Sequence, residues 1–260
     1  MSAGKVTMVA HYGPKKQNLA RFIRALQKKV KEGLGRKYSR VFKPYRVEQV
    51  HATLVGMEGG PGGINRNFNN ALEQRKRMDF EGLLRFIQNT NIFPMRIQFG
   101  RIFPFRDYGF KTSNEHPADW TFRFREAQVI VIGWPAKRGS SLQDPLCQDL
   151  ELFRRAVQSF GIRHKFHEKP GDYDNDFYMV LGTIDRARIT KGAMSQYAER
   201  TADLEQKVRR ELMVNPPLRI KVGMEDISVV KYEDSKLPVR GTTAYPIINL
   251  SASQIQSLFG

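Results

Sequence analysis

The two halves of the chain carry matching series of apolar patterns. Residues 8–14 form an apolar run that ends at a Gly-Pro break, and residues 129–135 form a similar run 121 positions later. Each run predicts a buried strand that ends in a turn. Apolar residues at helical spacing follow both runs, and Leu26 and Phe153 mark equivalent positions that lie 127 residues apart. Repetition of this kind predicts that one structural unit occurs twice.

A second strand and a second helix continue the repeat. Residues 50–56 match residues 177–182, again at an offset of 127. Helical patterns follow at 77–88 in the first half and at 194–212 in the second. Each half therefore shows the order strand, helix, strand, helix.

A closing strand completes each half of the predicted fold. Residues 94–100 and 217–223 share the pattern Pro-x-Arg-Ile-x-apolar-Gly at an offset of 123, and the second half has an extra strand near 227–232. These elements predict an α+β fold of two related lobes, residues 1–126 and 127–260. Each lobe is expected to be an antiparallel sheet with helices on its outer face, and a pseudo-two-fold axis is expected to relate the lobes around a central cleft.

Polar residues interrupt the strand at 50–56 on one side only. Strand alternation places His51, Thr53 and Val55 on one face, and the other face is entirely apolar. The apolar face is expected to pack against the helices. His51 and Thr53 should then point into the cleft between the lobes, which is where a duplicated fold would bind a ligand.

The sequence Val-His-Ala-Thr-Leu-Val-Gly at 50–56 resembles the first signature strand of the two-histidine (2H) phosphoesterase superfamily, which includes the RNA ligase-like cyclic phosphodiesterases. Residues 227–246 are similar to the closing strand of such proteins, and the order of elements also fits. The resemblance implies one His-x-Thr/Ser motif in each lobe. One histidine would act as base and the other as acid on a 2′,3′-cyclic or 2′,5′-linked phosphate, with the hydroxyls holding phosphate oxygens and with no metal or other cofactor.

The second motif departs from this pattern. Tyr178 stands where the second histidine is expected, and Val180 stands where the second hydroxyl is expected. A phenol titrates near about 10 and an imidazole near about 6.5, so Tyr178 is a poor proton acceptor at neutral pH. Loss of one well-placed acid or base costs about 10²–10⁴ in rate. The resemblance therefore nominates His51, Thr53 and Tyr178 as the catalytic positions, with catalysis by two histidines in question.

Three further residues are candidate phosphate ligands. Arg96 and Arg219 occupy matching positions in the two closing strands, and the guanidinium group suits two-point contact with phosphate. If alternation turns them toward the cleft they are ligands, and if it turns them outward they are surface charge. His11, on the first strand, either lines the same cleft or is a histidine at the edge of the core.

Residues 163–176 contain several other titratable side chains. His164 and His167 lie in a basic loop before the second motif strand and are expected to be solvated, with a loop histidine that enters the cleft as the less favoured alternative. Asp172, Asp174 and Asp176 alternate as in a calcium loop, but the glycine and the final glutamate of such a loop are missing. No metal site is predicted.

The charge of the chain points to a polyanionic partner. It has 43 Lys and Arg against 26 Asp and Glu, a formal net charge of +17. Residues 15–46 alone contain 12 basic residues and one acidic residue, Glu32. This excess predicts an RNA or other phosphate-rich partner, with Lys28, Lys29 and Lys31 as contacts. An anionic membrane surface is the less favoured alternative.

Other features exclude several classes of protein. One cysteine, Cys147, permits neither an internal disulfide nor a thiolate metal cage, and it is expected in the core. No apolar run approaches the roughly 18 residues of a membrane span, and the N-terminal run is too short for a secretory signal. A cytoplasmic protein without membrane insertion is expected. Its function is then a cyclic phosphodiesterase, a nucleotide- or RNA-binding module without turnover, or a basic interaction protein.

Overall fold

The computed structural model describes residues 5–59, 63–67, 76–137, 145–169 and 171–259. The strands in these ranges are β1 Val6–Ala10, β2 Phe42–Pro44, β3 Ala52–Gly56, β4 Met95–Phe99, β5 Phe122–Arg125, β6 Gln128–Pro135, β7 Phe177–Ile184, β8 Leu218–Val222, β9 Ile227–Tyr232 and β10 Thr242–Pro246. The helices are α1 Gln17–Tyr38, α2 Phe80–Asn89, α3 Pro117–Trp120, α4 Asp149–Ala156, α5 Met194–Val214 and α6 Ala252–Ser257. The predicted α+β class is confirmed. None of these helices is long and apolar enough to cross a bilayer.

The helices follow the predicted spacing, with one late start. The buried residues of α1 recur at helical intervals from Leu19 to Leu34. The apolar stripe of Leu146, Leu150, Phe153 and Val157 predicts a helix, and α4 begins three residues after Leu146, at Asp149. Leu146 instead forms a bridge with Ala136, which extends the pairing of β6 beyond its last residue. The start signal predicted for this helix is Asp144-Pro145; Asp144 lies outside the described residues, and Pro145 lies four residues before α4.

All ten strands belong to one sheet in which every pair is antiparallel. The order is β10-β9-β1-β3-β7-β6-β4-β8, with β2 also on β7 and β5 also on β6. The two strands that carry the sequence motifs, β3 and β7, are neighbours at the middle of this order. Their register pairs Ala52 with Met179.

Strands from each half of the sequence pair with strands from the other. β4 lies between β6 and β8, and β9 lies beside β1. The expectation that 94–100 and 217–223 close the two halves at equivalent positions is therefore wrong. β4 and β8 are neighbours at one edge, where Ile97 pairs with Ile220, and their shared pattern reflects a shared face on the same core. The predicted boundary at residue 126 falls in the turn between β5 and β6, which pair with each other.

The two faces of the sheet differ in how they are covered. On one face, α1, α2, α4, α5 and α6 pack over a large core that includes Met8, Val131 and Met179. The opposite face carries two smaller apolar clusters, one around Val9 and Val230 and the other around residues 130–134. This second face is where polar motif residues can reach an open space.

Two β-bulges interrupt the central strands. The β1–β3 register shifts between Met8 and Val9, which leaves Leu54 as the extra residue in β3. The β6–β7 register shifts between Val129 and Ile130, which leaves Leu181 as the extra residue in β7. A bulge breaks strict alternation. Val55, expected beside His51 and Thr53, therefore packs in the helix-covered core.

Candidate functional site

A cavity of about 450 Å³ lies on the sheet face opposite the large helices. Its wall includes His51, which immediately precedes β3, and Thr53 of β3. It also includes Tyr178 and Val180 of β7. The structure thus brings the two motif segments to one cavity, including the valine that replaces the second hydroxyl.

Strand register explains why these four side chains meet. Because Ala52 pairs with Met179 in antiparallel register, Thr53 lies opposite Tyr178, and His51 lies opposite Val180. Ala52 and Met179 belong to the helix-covered core. Alternation turns their neighbours to the other face, toward the cavity.

His51 is held as a neutral imidazole of defined tautomer. Its Nδ1 lies 2.6 Å from the carbonyl oxygen of Gln49, and a carbonyl can only accept, so Nδ1 carries the proton. Nε2 is then left as a hydrogen-bond acceptor. The pKa of His51 is lowered to about 4. Burial is the main cause and the charge of Lys15 adds to it, whereas the Gln49 hydrogen bond acts in the opposite direction. The ring of Tyr12 packs against the imidazole edge to face, at 5.8 Å between centroids.

Tyr178 is a neutral hydrogen-bond donor rather than a base. Its hydroxyl donates to Gln128 Oε1 at 3.0 Å. Burial raises the pKa of Tyr178 to about 12, so the phenol stays protonated throughout the physiological range. The departure seen in the sequence therefore persists in the site, since neither Tyr178 nor Val180 can accept a proton at neutral pH.

The cavity wall carries charges of both signs. Its cations include Arg125, Lys165 and Lys236, and its carboxylates include Glu58 and Glu126. The excess positive charge of the chain is thus only partly concentrated here. Lys165 Nζ lies 4.5 Å from the ring centroid of Phe166, a wall residue that is 45% exposed. An exposed ring beside a cation can stack on a nucleobase while the cation meets a phosphate.

A buried polar network, of which Arg154, His164 and Asp174 line the cavity, was not predicted from the sequence. His164 and His167, expected to be solvated, are both buried, so that expectation is wrong. His164 Nε2 lies 2.8 Å from Asp174 Oδ2, and His167 Nε2 lies 2.8 Å from Glu151 Oε2. The carboxylates supply the partners that allow the two histidines to be buried.

Arg154 is the centre of this network. Its guanidinium donates to the carbonyl oxygens of Leu54 and Thr53, both at 2.9 Å, and to those of Asp174 at 3.0 Å and Asp176 at 3.2 Å. It also forms an ion pair of 2.9 Å with Asp174 Oδ1. Arg154 therefore ties the bulged part of β3 to the segment that leads into β7. A sequence signal existed, because Arg154 falls on the helical stripe of Leu150, Phe153 and Val157.

The pKa values of Asp174 and Asp176 are shifted in opposite directions. Burial opposes ionisation of Asp174, but the Arg154 charge and the His164 hydrogen bond outweigh it and hold the pKa of Asp174 well below its usual range. Burial and the charge of Asp174 raise the pKa of Asp176 well above its usual range, although Trp120 Nε1 donates to its Oδ2. Asp176 also lines the cavity. The cavity wall therefore holds a carboxyl group whose neutral form is favoured by its surroundings.

The candidate phosphate ligands lie away from this cavity. Arg96 and Arg219 line a separate cavity of about 150 Å³ with Lys221, on the β4–β8 edge. His11 is buried, and its Nδ1 lies 3.5 Å from Asp226 Oδ1, which matches the core-edge alternative. Arg96 and Arg219 lie away from the central cavity because the strand order places β4 and β8 at one edge of the sheet.

The basic helix lies on the far side of the sheet. Lys28 and Lys31 border a shallow groove on α1, and Lys29 forms an ion pair with Glu211 of α5. Because the apolar stripe of α1 packs onto the sheet, its basic side faces outward on the helix-covered face. One phosphate in the central cavity cannot contact these lysines at the same time.

Comparison with known proteins assigns no family to the chain: no family model, no curated protein and no solved structure matches it. Function has to be inferred from the groups that the cavity assembles. These are an imidazole, a hydroxyl, a phenol, a carboxyl group of raised pKa and charged side chains of both signs, all on the wall of one cavity. Such a set can bind an anion and move protons to and from it.

Proposed function

We propose that the cavity binds a nucleotide or RNA end through its phosphate and hydrolyses a 2′,3′-cyclic phosphodiester, in the manner of the 2H phosphoesterases. The observation that carries this proposal is the oriented imidazole of His51 beside Thr53 on the cavity wall. Because the Nδ1 proton is donated to the Gln49 carbonyl oxygen, Nε2 carries the free lone pair of the imidazole and can act as a base.

Each polar group has a role in this reaction. His51 Nε2 accepts a proton from the water that attacks phosphorus. The hydroxyl of Thr53 donates a hydrogen bond to a phosphate oxygen. Arg125 and Lys165 offset the charge of the phosphate, and Phe166 provides a face for the base.

The geometry of the central strands supports an internal duplication with pseudo-two-fold symmetry. The extra residues of the two bulges, Leu54 and Leu181, are 127 positions apart, which is the offset of the sequence motifs. Ala52 pairs with Met179, its own counterpart at the same offset. A residue that pairs with its own equivalent lies on a local two-fold axis, and this axis would pass through the middle of the sheet.

A nucleotide-binding module without turnover is the second candidate. It is favoured by Tyr178 and Val180, which cannot perform the roles that the resemblance gives to a second histidine and hydroxyl. The phenol of Tyr178 could still donate to a phosphate oxygen, and Phe166 could still stack on a base. Binding would then be retained where catalysis is lost.

A turnover assay separates the two candidates. The protein is incubated with a 2′,3′-cyclic mononucleotide and with an RNA that ends in a 2′,3′-cyclic phosphate. We expect ring opening that falls by about 10²–10⁴ in His51→Gln, the range for loss of a general base. His116→Gln is the matched control, because His116 caps α3 and does not line the cavity.

The pH dependence provides an independent check. Because His51 must be neutral to act as a base and its pKa is about 4, kcat/KM should stay level from neutral pH downward and fall only near pH 4. Ring opening that is equal in wild type and His51→Gln would refute the proposal. Salt-dependent nucleotide binding with no turnover would establish the binding module instead.

A further inference from the structure

We propose that Asp176 is the proton donor to the leaving oxygen, the role that a second histidine would otherwise have. This inference rests on the proposed phosphodiesterase function. It goes beyond the sequence motifs, because Asp176 belongs to neither of them.

The position of Asp176 fits a donor. It lies two residues before Tyr178, so strand alternation turns both side chains to the same face. The residue is 5% exposed and lines the cavity that also holds His51. Acid and base therefore border one space, as hydrolysis of a phosphodiester requires.

One carboxyl oxygen of Asp176 is available for the proton. Oδ2 accepts a hydrogen bond from Trp120 Nε1, so Oδ1 is the oxygen left to carry hydrogen. Oδ1 is buried and lies beside the hydroxyl of Thr112, whose hydrogen bond lowers the pKa of Asp176. A carboxylate oxygen buried in this way is costly to ionise, so its surroundings favour the protonated form.

The surroundings of Asp176 favour the acid before the reaction and tolerate the carboxylate after it. Burial and the negative charge of Asp174 raise the pKa of Asp176. The Trp120 hydrogen bond and the charge of Arg154 act in the opposite direction and would stabilise the carboxylate once it forms. Tyr178 is a weaker candidate, because its pKa is about 12 and its hydroxyl already donates to Gln128.

The step balances with water as the only co-reactant. The oxygen of water forms a bond to phosphorus while His51 Nε2 takes one of its protons. One P–O bond of the cyclic ester breaks, and the ribose oxygen that leaves takes the proton of Asp176. The product is a phosphomonoester with a free ribose hydroxyl. Exchange with solvent then removes the proton from His51 and restores that of Asp176.

The leaving group distinguishes a proton donor from a structural residue. Asp176→Asn removes the proton but keeps a neutral side chain of the same shape, whose amide oxygen can accept from Trp120. We compare a 2′,3′-cyclic mononucleotide, which expels an alkoxide, with a nucleoside p-nitrophenyl phosphodiester, which expels a stable phenolate. We expect kcat to fall by about 10²–10⁴ on the first substrate and by less than about threefold on the second. Asp203→Asn, the same change at an exposed residue of α5 that does not line the cavity, should leave both rates unchanged.

A second variant guards against misfolding of the first. W120F removes the hydrogen bond that stabilises the Asp176 carboxylate, so the alkaline limb of kcat should move to higher pH. Equal losses on both substrates in Asp176→Asn, or no loss, would overturn the role of Asp176 alone, and so would an unmoved alkaline limb in W120F. A wild-type protein that opens neither ester would overturn the proposed function together with this inference.

Discussion

Replacement of Arg154 by methionine should destabilise the protein severely. The guanidinium is 2% exposed, donates to four carbonyl oxygens and forms an ion pair of 2.9 Å with Asp174. Methionine fills much of the same space but leaves the carboxylate of Asp174 buried without its cation. Removal of one partner of a buried ion pair costs about 3–5 kcal/mol in the free energy of unfolding.

Urea unfolding and thermal melting measure this loss. For a chain of this size each kcal/mol moves Tm by about 2–4 °C, so a fall of roughly 6–20 °C is expected. The control is Arg85→Met on α2, where the side chain is 68% exposed and its Glu81 partner is 3.6 Å away. An exposed ion pair contributes little, so the control should change stability by less than about 1 kcal/mol.

A double variant tests the stated cause. Asp174→Asn in the Arg154→Met background removes the unpaired charge, and it should recover part of the lost stability. If Arg154→Met costs no more than Arg85→Met, the guanidinium does not hold the central strands together. If the second substitution makes the protein still less stable, the unpaired carboxylate is not the reason for the loss.

Three further predictions concern acid stability, a turn and the cysteine. Burial lowers the pKa of His11 and His164 to about 4, so the unfolded chain binds more protons than the folded one between about pH 4 and 6.5. Their contribution to the free energy of unfolding is complete above about pH 6.5 and is lost as pH falls toward 4, at up to about 1.4 kcal/mol per pH unit for each histidine. Urea unfolding at several pH values measures this loss, and a free energy of unfolding that does not change with pH would contradict it. Gly161 has a φ of +70°, and a Cβ there would lie 2.6 Å from a backbone carbonyl oxygen. Gly161→Ala should therefore lower the free energy of unfolding by about 1–3 kcal/mol. At the control position Gly192 a Cβ would meet open space, and Gly192→Ala should cost less than about 1 kcal/mol. Cys147 is buried and its pKa is raised to about 12, so it should react with a thiol reagent only after unfolding, and fast labelling of the native protein would place it outside the core.

The proposed function rests on a small part of the structure. His51 and Tyr178 belong to strands that are neighbours at the centre of the sheet, and both side chains reach one cavity. The basic residues that dominate the composition lie mostly elsewhere, including on the outward side of α1. Charge therefore suggested a class of partner, whereas strand register located the site.

Local periodicity was enough to identify the longer elements and one wall of the site, but not β2, β5, α3 or α6. A period of two residues indicated which face of β3 carries His51 and Thr53, and a period of 3.6 residues indicated the buried stripes of the helices. These patterns depend on neighbours within a few positions, so they can be recognised before the fold is known. The α+β class and the location of Cys147 in the core follow from the same information.

The strand order, the bulges and the buried network depended on tertiary contacts. β4 pairs across the halves of the chain, and Val55 turns into the core because Leu54 is an extra residue against β1. Arg154 donates to the carbonyl oxygen of Thr53, 101 positions away in the sequence. A cation on the buried stripe of a helix indicates that it has a buried partner. Which groups are the partners depends on the backbone carbonyl oxygens that the fold brings beside it, and these come from distant parts of the sequence. The raised pKa of Asp176 has the same origin, because it depends on burial beside Asp174 rather than on any sequence pattern.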